Sequence, residues 1–115
     1  MVSGRLAYNL QTSQAATTDA NGNAEIILGP TKVRERWEVT GIATELFPQN
    51  TDYSPVVEIR RNGFELIAGS YNANLDSATG SVIELRNNEY LKCTLTGAEP
   101  GVRWQMTVNG QGYAI

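Results

Sequence analysis

Strict alternation of apolar and polar residues in two neighbouring segments is the feature that most limits what this chain can fold into. In residues 90–96 and again in residues 102–108, apolar side chains recur at every second position. This period of two is typical of β-strands that are buried on one face only. The intervening residues 97–101 contain two glycines and a proline, which favour a turn. We therefore predict an antiparallel hairpin that needs a second apolar layer to cover it. Its inward residues would be Leu91, Cys93, Leu95, Val102, Trp104, Met106 and Val108.

Strand patterns and turn signals of the same kind recur along the rest of the chain. Asn21-Gly22 and Asn62-Gly63 favour the positive φ angles of tight hairpin turns, and each pair predicts a reversal of the chain. Residues 11–18 are polar and rich in Thr, Ser and Ala, which indicates a loop or arm over the surface. Residues 68–80 are expected to form a long ordered loop, or a short strand between two turns. The other predicted strands are residues 5–10, 23–28, 31–47, 55–61, 64–67 and 82–85.

The longest of these strands changes its alternation near the middle. Trp37 and Val39 share one parity, whereas Ile42 and Leu46 have the other. A β-bulge inserts one extra residue into a strand and would return all four side chains to the same face. We predict this bulge at Gly41.

Several short strands with turn signals every eight to twelve residues, and no helical period, indicate an all-β fold. We predict an antiparallel β-sandwich or jelly roll of about eight short strands. The chain has 115 residues, which suits one domain with a single core. We expect residues 1–115 to form that domain, with a polar N-terminal arm or loop over about residues 1–18.

Charge and composition exclude several classes of function. Nine Lys and Arg against twelve Asp and Glu give a net charge of −3, which does not attract the phosphates of nucleic acids. No apolar run approaches the roughly 20 residues of a membrane helix, and the first residues lack the form of a signal peptide. A single cysteine allows no internal disulfide, and the absence of histidine excludes His-based triads and the usual zinc sites. We therefore expect neither nucleic acid nor membrane as a partner.

The polar residues offer little chemistry for catalysis. The glutamates fall at outward strand positions or strand ends, and Cys93 alternates with Leu91 and Leu95 as a small core residue. Two strings of alternating oxygen-bearing residues begin at Asp19 and Asn72, but both lack the glycine and glutamate of an EF-hand loop. We prefer to interpret them as turns, while an irregular calcium site stays open. We expect no enzyme activity, no catalytic residue, no metal ligand and no cofactor.

The aromatic residues divide into two sets. Trp37 and Trp104 alternate with aliphatic residues and are expected in the core. Four tyrosines could instead form a sugar-binding surface or contact a partner, because the ring of a tyrosine is apolar and its hydroxyl is polar. These are Tyr53, Tyr71, Tyr90 and Tyr113.

A set of turn and strand-end motifs resembles a known group of proteins. The motifs are Asp19-Ala20-Asn21-Gly22, Leu28-Gly29-Pro30, Arg36-Trp37-Glu38-Val39, Gly69-Ser70-Tyr71 with Asn74-Leu75-Asp76-Ser77, and Thr94-Leu95-Thr96-Gly97-Ala98 with Pro100-Gly101. They are similar to the small all-β proteins encoded among the virion structural genes of tailed bacteriophages, especially those of actinobacterial hosts. The resemblance covers about residues 19–110 and implies a virion component, of either the head or the tail. It identifies no binding residue.

These observations favour a non-enzymatic virion structural protein, assembled in the host cytoplasm, that decorates or cements an assembled capsid. We expect it to bind the major capsid protein through its arm, as a homo-oligomer and preferably a trimer. A minor tail, baseplate or receptor-contacting protein of a tailed phage is the first alternative, and a carbohydrate-binding module is the second. The candidate partner contacts are Leu6, Tyr8, Leu10, Tyr53, Tyr71, Tyr113 and Ile115.

Overall fold

The computed structural model describes residues 6–30, 34–47, 52–70 and 75–114. The described residues form eight β-strands. They form no helix long and apolar enough to cross a membrane. The strands are β1 (Leu6–Thr17), β2 (Ala24–Leu28), β3 (Glu35–Phe47), β4 (Val56–Arg61), β5 (Glu65–Ser70), β6 (Leu75–Leu85), β7 (Leu91–Thr96) and β8 (Arg103–Ala114).

The eight strands form two antiparallel four-stranded sheets, in the orders β1-β8-β3-β6 and β2-β7-β4-β5. We call these the long-strand sheet and the short-strand sheet. The pairing is nested along the chain, so that the first strand pairs with the last and the two middle strands pair with each other. β1 pairs with β8, β2 with β7, β3 with β6 and β4 with β5. This nested pairing is the topology of a jelly roll. The prediction of an antiparallel sandwich or jelly roll is confirmed, although β1, β6 and β8 are longer than expected.

The predicted hairpin of β7 and β8 is wrong, although both strands lie where the alternation places them. β7 pairs with β2 and β4 in the short-strand sheet, and β8 pairs with β1 and β3 in the long-strand sheet. Residues 97–102 therefore carry the chain from one sheet to the other. The turn at Asn21-Gly22 likewise joins β1 and β2 across the two sheets, so it is not a hairpin turn. The Asn62-Gly63 hairpin is confirmed, because β4 and β5 pair directly across it.

The predicted polar loop over residues 11–18 is also wrong for most of its length. Residues 11–17 continue β1, which pairs with β8 without interruption from Leu6 to Thr17. The described side chains of this edge strand are mostly exposed, and among them Leu10 is buried in the core while Ala16 packs against it. An edge strand held by its backbone ladder needs few apolar side chains, which explains why alternation did not reveal it.

The bulge in β3 is confirmed next to the predicted position. The register of β3 against both β6 and β8 shifts between Val39 and Gly41. Trp37 and Val39 before the shift, and Ile42 and Leu46 after it, are all buried. The extra residue, Thr40, is exposed.

The two sheets enclose one apolar core. Its fully buried members include Trp104 and Met106 of β8, and Trp37 is also a core residue as predicted. Cys93 is fully buried, and this burial raises the pKa of its thiol to about 12. The thiol is therefore protonated at neutral pH and acts as a small core side chain, as predicted.

Hydrogen bonds between two loops close one end of the sandwich. The Thr18 hydroxyl donates to the Glu99 carbonyl at 2.7 Å and accepts from the Val102 N–H at 2.9 Å. The Ala98 N–H donates to the Gly22 carbonyl at 3.0 Å. The buried Thr18 side chain is thus satisfied, and the loops before β2 and before β8 are held together.

Candidate interaction surface

Sequence reasoning proposed seven contact residues, and the structure separates them. Leu10 is only 6% exposed and belongs to the core, so its side chain offers no surface to a partner. Tyr53 is 41% exposed, just before β4. Leu6 begins β1, while Tyr71 and Ile115 lie outside the described residues. Leu10 therefore makes no side-chain contact with a partner, and the role of the other six stays a prediction.

Tyr8 covers one end of the long-strand sheet. Its ring lies across Gly112, the residue it pairs with on β8, where any Cβ atom would collide with the ring. Its hydroxyl donates to Glu35 Oε2 at 2.8 Å. Partial burial, and then the bond to this carboxylate, raise the pKa of Tyr8 above its usual value. Tyr8 is thus held in place by two strands and is 37% exposed.

Tyr113 lies on the opposite, outer face of the same sheet and packs on its neighbours. The Arg36 guanidinium sits over its ring at 4.7 Å from the centroid. A hydrogen bond to the Glu38 carboxylate raises the pKa of the Tyr113 hydroxyl above its usual value. Arg36 also lies 3.9 Å from Glu38 and 4.0 Å from Glu84. Tyr113 therefore belongs to a network of charges on the surface and is only partly exposed.

The hairpin of β4 and β5 presents an apolar tip that sequence reasoning did not single out. Phe64 is 85% exposed and Leu66 is 56% exposed. Asn62 and Gly63 have φ angles of 53° and 78°, which are the positive values of a type I′ turn. The Arg60 guanidinium donates to the Phe64 carbonyl at 3.1 Å and to Glu58 at 2.7 Å, so the tip is held by the sheet. The available signal was an aromatic residue directly after an Asn-Gly turn, where a side chain has little to pack on.

Glu89 organises the turn between β6 and β7. Its carboxylate accepts hydrogen bonds from the Arg86 backbone N–H at 2.8 Å and from the Asn62 side chain at 3.3 Å. Arg61 lies 3.3 Å away. The bond from the Arg86 N–H is the main reason why the pKa of Glu89 is lowered. Glu89 thus joins the β4–β5 hairpin to the neighbouring turn.

This lowered pKa predicts a dependence of stability on pH. A carboxylate with a depressed pKa stabilises the fold fully above its unfolded pKa, and this contribution is lost as the pH falls through the folded pKa. We expect Glu89→Ala to be less stable than wild type at pH 7 by about 1 kcal/mol, the usual net value of such hydrogen bonds. The difference should shrink below pH 4.5. Urea unfolding at pH 7 and pH 3 measures it, with Glu25→Ala as the control, because Glu25 contacts Lys92 at 3.5 Å on an exposed face. A difference that stays constant between the two pH values would contradict this assignment.

The free edge of β1 differs from the other three sheet edges. β1 is an edge strand of twelve residues and contains no charged residue, no proline and no glycine. Its register against β8 shows no shift. In the described part of the chain, it pairs with no strand other than β8. We call this free side of Leu6–Thr17 the β1 edge.

The grooves beside this edge hold no cluster of reactive groups. An open groove of about 370 Å³ is lined by residues that include Gln14, Ile27 and Glu89. Its one carboxylate, Glu89, is already bound by Arg86 and Asn62. The Asp19 carboxylate likewise accepts from the N–H groups of Asn21 and Asn23, both at 2.9 Å, which is the turn preferred over a calcium loop. The described ranges contain no group of three or more Cys, Asp and Glu residues placed to hold a metal ion.

The fold and this surface define a small jelly-roll protein that presents an apolar hairpin tip and a long uncharged sheet edge. No protein-family model and no curated protein matches the chain. Among solved structures it is similar to a chain of the acidic stable capsid of Helicobacter pylori bacteriophage KHP30. The TM-score is 0.54 and the identity 11%, over 96% of this chain and 93% of that chain. At this identity the likeness is one of fold.

Two further solved structures give lower scores. The Yersinia pseudotuberculosis-derived mitogen has a TM-score of 0.43 and 10% identity, over 90% of this chain and 87% of that chain. The Drosophila NLP core has a TM-score of 0.42 and 12% identity, over 88% of this chain and 96% of that chain. These scores indicate no relationship by themselves.

Proposed function

We propose that this chain is a non-enzymatic structural protein of a virion, and that it decorates or cements an assembled capsid. The observation that carries the proposal is the fold likeness to a phage capsid chain, which spans nearly the whole of both chains. Jelly rolls serve several functions, so the fold alone does not assign one. The turn and strand-end motifs that resemble tailed-phage virion proteins point in the same direction. The partner is then the major capsid protein of the same virion, on particles assembled in the host cytoplasm.

The surface supports adhesion better than catalysis. The described grooves hold no converging acids, and the Cys93 thiol is buried and protonated. The apolar tip of Phe64 and Leu66 is instead offered to solvent on a hairpin held by hydrogen bonds. Exposed apolar groups on a well-held element are typical of protein contact sites. We propose that this tip contacts the shell.

Removing the apolar tip tests this contact. We expect Phe64→Ser with Leu66→Ser to weaken binding to capsids stripped of this protein by at least about tenfold, because an apolar anchor contributes a few kcal/mol. Val82→Ser is the matched control, since Val82 of β6 is 56% exposed, as Leu66 is. Sedimentation of labelled protein with purified capsids measures the binding. Equal binding of the double variant and the control would contradict the proposed contact, and capsids that carry no copies while tails do would contradict the decoration role.

The alternatives differ in what they require of the aromatic residues. A tail or receptor-contacting role would make host attachment sensitive to substitutions of Tyr53 and Tyr71. A carbohydrate-binding module needs several exposed rings on one face. Among the described residues, Tyr53 precedes β4 and Phe64 follows it, so these two rings lie at opposite ends of that strand. Tyr53 and Phe64 therefore do not form one compact sugar-binding site.

The oligomeric state is a separate part of the proposal. A homo-oligomer suits attachment to a symmetric shell, and the sequence led us to expect a trimer. The mass of the purified protein in solution distinguishes a trimer from a dimer.

A further inference from the structure

Three of the four sheet edges carry features that hinder pairing with another strand. β2 has five residues, including Glu25. β5 has six residues, includes Glu65, and shows a register shift opposite Ile59 and Arg60. β6 includes Asp76 and Glu84, and the β3–β6 register is irregular. Short length, charges and bulges are the usual means by which proteins protect free edges from pairing with other chains.

The β1 edge has none of these features. Twelve residues of extended chain span about 40 Å and leave about half of their N–H and C=O groups directed away from β8. The exposed side chains are small or neutral, among them Asn9, Gln11, Ser13 and Ala15. An unprotected edge of this length is a template for strand addition. The contrast with the other three edges favours the β1 edge as the place where another strand adds to the sheet.

We infer that the β1 edge pairs with the β1 edge of a second copy, which joins the two long-strand sheets into one eight-stranded sheet. The chain has twelve Asp and Glu residues against nine Lys and Arg residues, so an edge that carries carboxylates adds repulsion when it meets its own copy. β1 carries no charge, so two copies can face each other without repulsion. A two-fold axis makes the same edge serve both partners, and such pairs are the commonest homo-oligomers. This inference concerns the isolated chain and does not depend on a role in a virion.

The symmetry specifies which residues meet. When the axis stands perpendicular to the sheet and passes near Thr12, in the middle of β1, Gln11 of one copy faces Ser13 of the other. Both side chains are exposed on the outer face of the sheet. Charges introduced at these two positions therefore meet their own copies across the axis.

Charge substitution with complementation tests the inference. We expect the wild-type chain of 12.5 kDa to sediment as a dimer. Gln11→Lys with Ser13→Lys, and separately Gln11→Glu with Ser13→Glu, should each raise the dissociation constant at least about tenfold. A mixture of the two variants should restore the dimer, because unlike charges then face each other. Thr96→Lys, at an exposed position in the central strand β7, is the control and should leave the dimer unchanged.

Three results would overturn the inference. These are a wild-type monomer at about 100 μM, an oligomer that the β1 charges do not affect, or a mixture that stays monomeric although each variant alone has lost the dimer. A trimer mass also counts against it, because one isologous edge contact gives pairs.

Amide hydrogen exchange of the wild-type chain gives a second test that needs no variant. Over protein concentrations that span the dissociation constant, we expect the β1 amides directed away from β8 to exchange more slowly as the concentration rises, while the amides of β2 keep their rate. An exchange rate in β1 that does not depend on concentration would overturn the inference even if a charged variant failed to fold. Neither experiment contains capsids, so failure of the dimer and failure of the shell contact are distinguished.

Discussion

Gly22→Ala should destabilise the fold by about 2 to 5 kcal/mol, far more than the same change at Gly101. Both glycines have nearly the same backbone angle, with φ of +76° and +75°. A side chain in this left-handed region costs about 1 to 2 kcal/mol in either place. At Gly22 the added Cβ would also run into the backbone carbonyl of Ala98, whereas at Gly101 it would meet nothing within 4 Å. The clash adds about 1 to 3 kcal/mol because backbone must move.

The collision matters because Gly22 and Ala98 form one of the contacts that close this end of the sandwich. The Ala98 N–H donates to the Gly22 carbonyl at 3.0 Å, so moving one loop away from the other breaks that bond. Urea unfolding followed by circular dichroism measures both variants against wild type. Equal losses at Gly22 and Gly101 would show that only the backbone angle requires glycine at position 22, and would remove the close approach of the two loops as a cause.

Trp104→Ala should lower the free energy of unfolding by about 3 to 5 kcal/mol. Trp104 is fully buried in β8, between Ala16 of β1 and Leu46 of β3 in the pairing of the strands. Removing the indole leaves a cavity. β8 is hydrogen-bonded to β1 on one side and β3 on the other, so it cannot shift to fill that cavity. Such a loss is a large share of the stability of a domain of this size.

The control for this prediction is Phe64→Ala. Phe64 is 85% exposed, so its removal should change stability by less than about 0.5 kcal/mol. Circular dichroism at several urea concentrations follows both variants, because it does not depend on the fluorescence of the lost tryptophan. A loss below about 1 kcal/mol for Trp104→Ala would mean that the interior is not packed around this residue.

Local patterns revealed the strands whose inner and outer faces differ most. β4 and β7 alternate cleanly, because one face of each packs on the core and the other meets solvent. The bulge in β3 was visible for the same reason, since a change of parity in a buried strand has to be absorbed by the backbone. The alternation and the change of parity in these strands involve residues that are only a few positions apart, so they can be recognised from the sequence.

Pairing between distant strands left no such signal. Residues 97–101 contain the glycines and proline of a turn, and these suit a crossing between sheets as well as a hairpin. The contact of Tyr8 with Gly112 joins residues from the first and last strands, and no local sequence pattern near either residue predicts it. The second half of β1, residues 11–17, was missed because its polar side chains show no alternation, although its backbone pairs with β8 throughout.

The nesting of first with last strand also bears on how the molecule reaches its native state during synthesis. Leu6 pairs with Ala114, so β1 cannot complete its pairing until β8 has left the ribosome. Until then the long-strand sheet is incomplete, and part of the apolar core is exposed to water. Forming contacts between residues far apart in the sequence is slow. A chaperone that shields the emerging strands would act in that interval, before the final strand docks between β1 and β3.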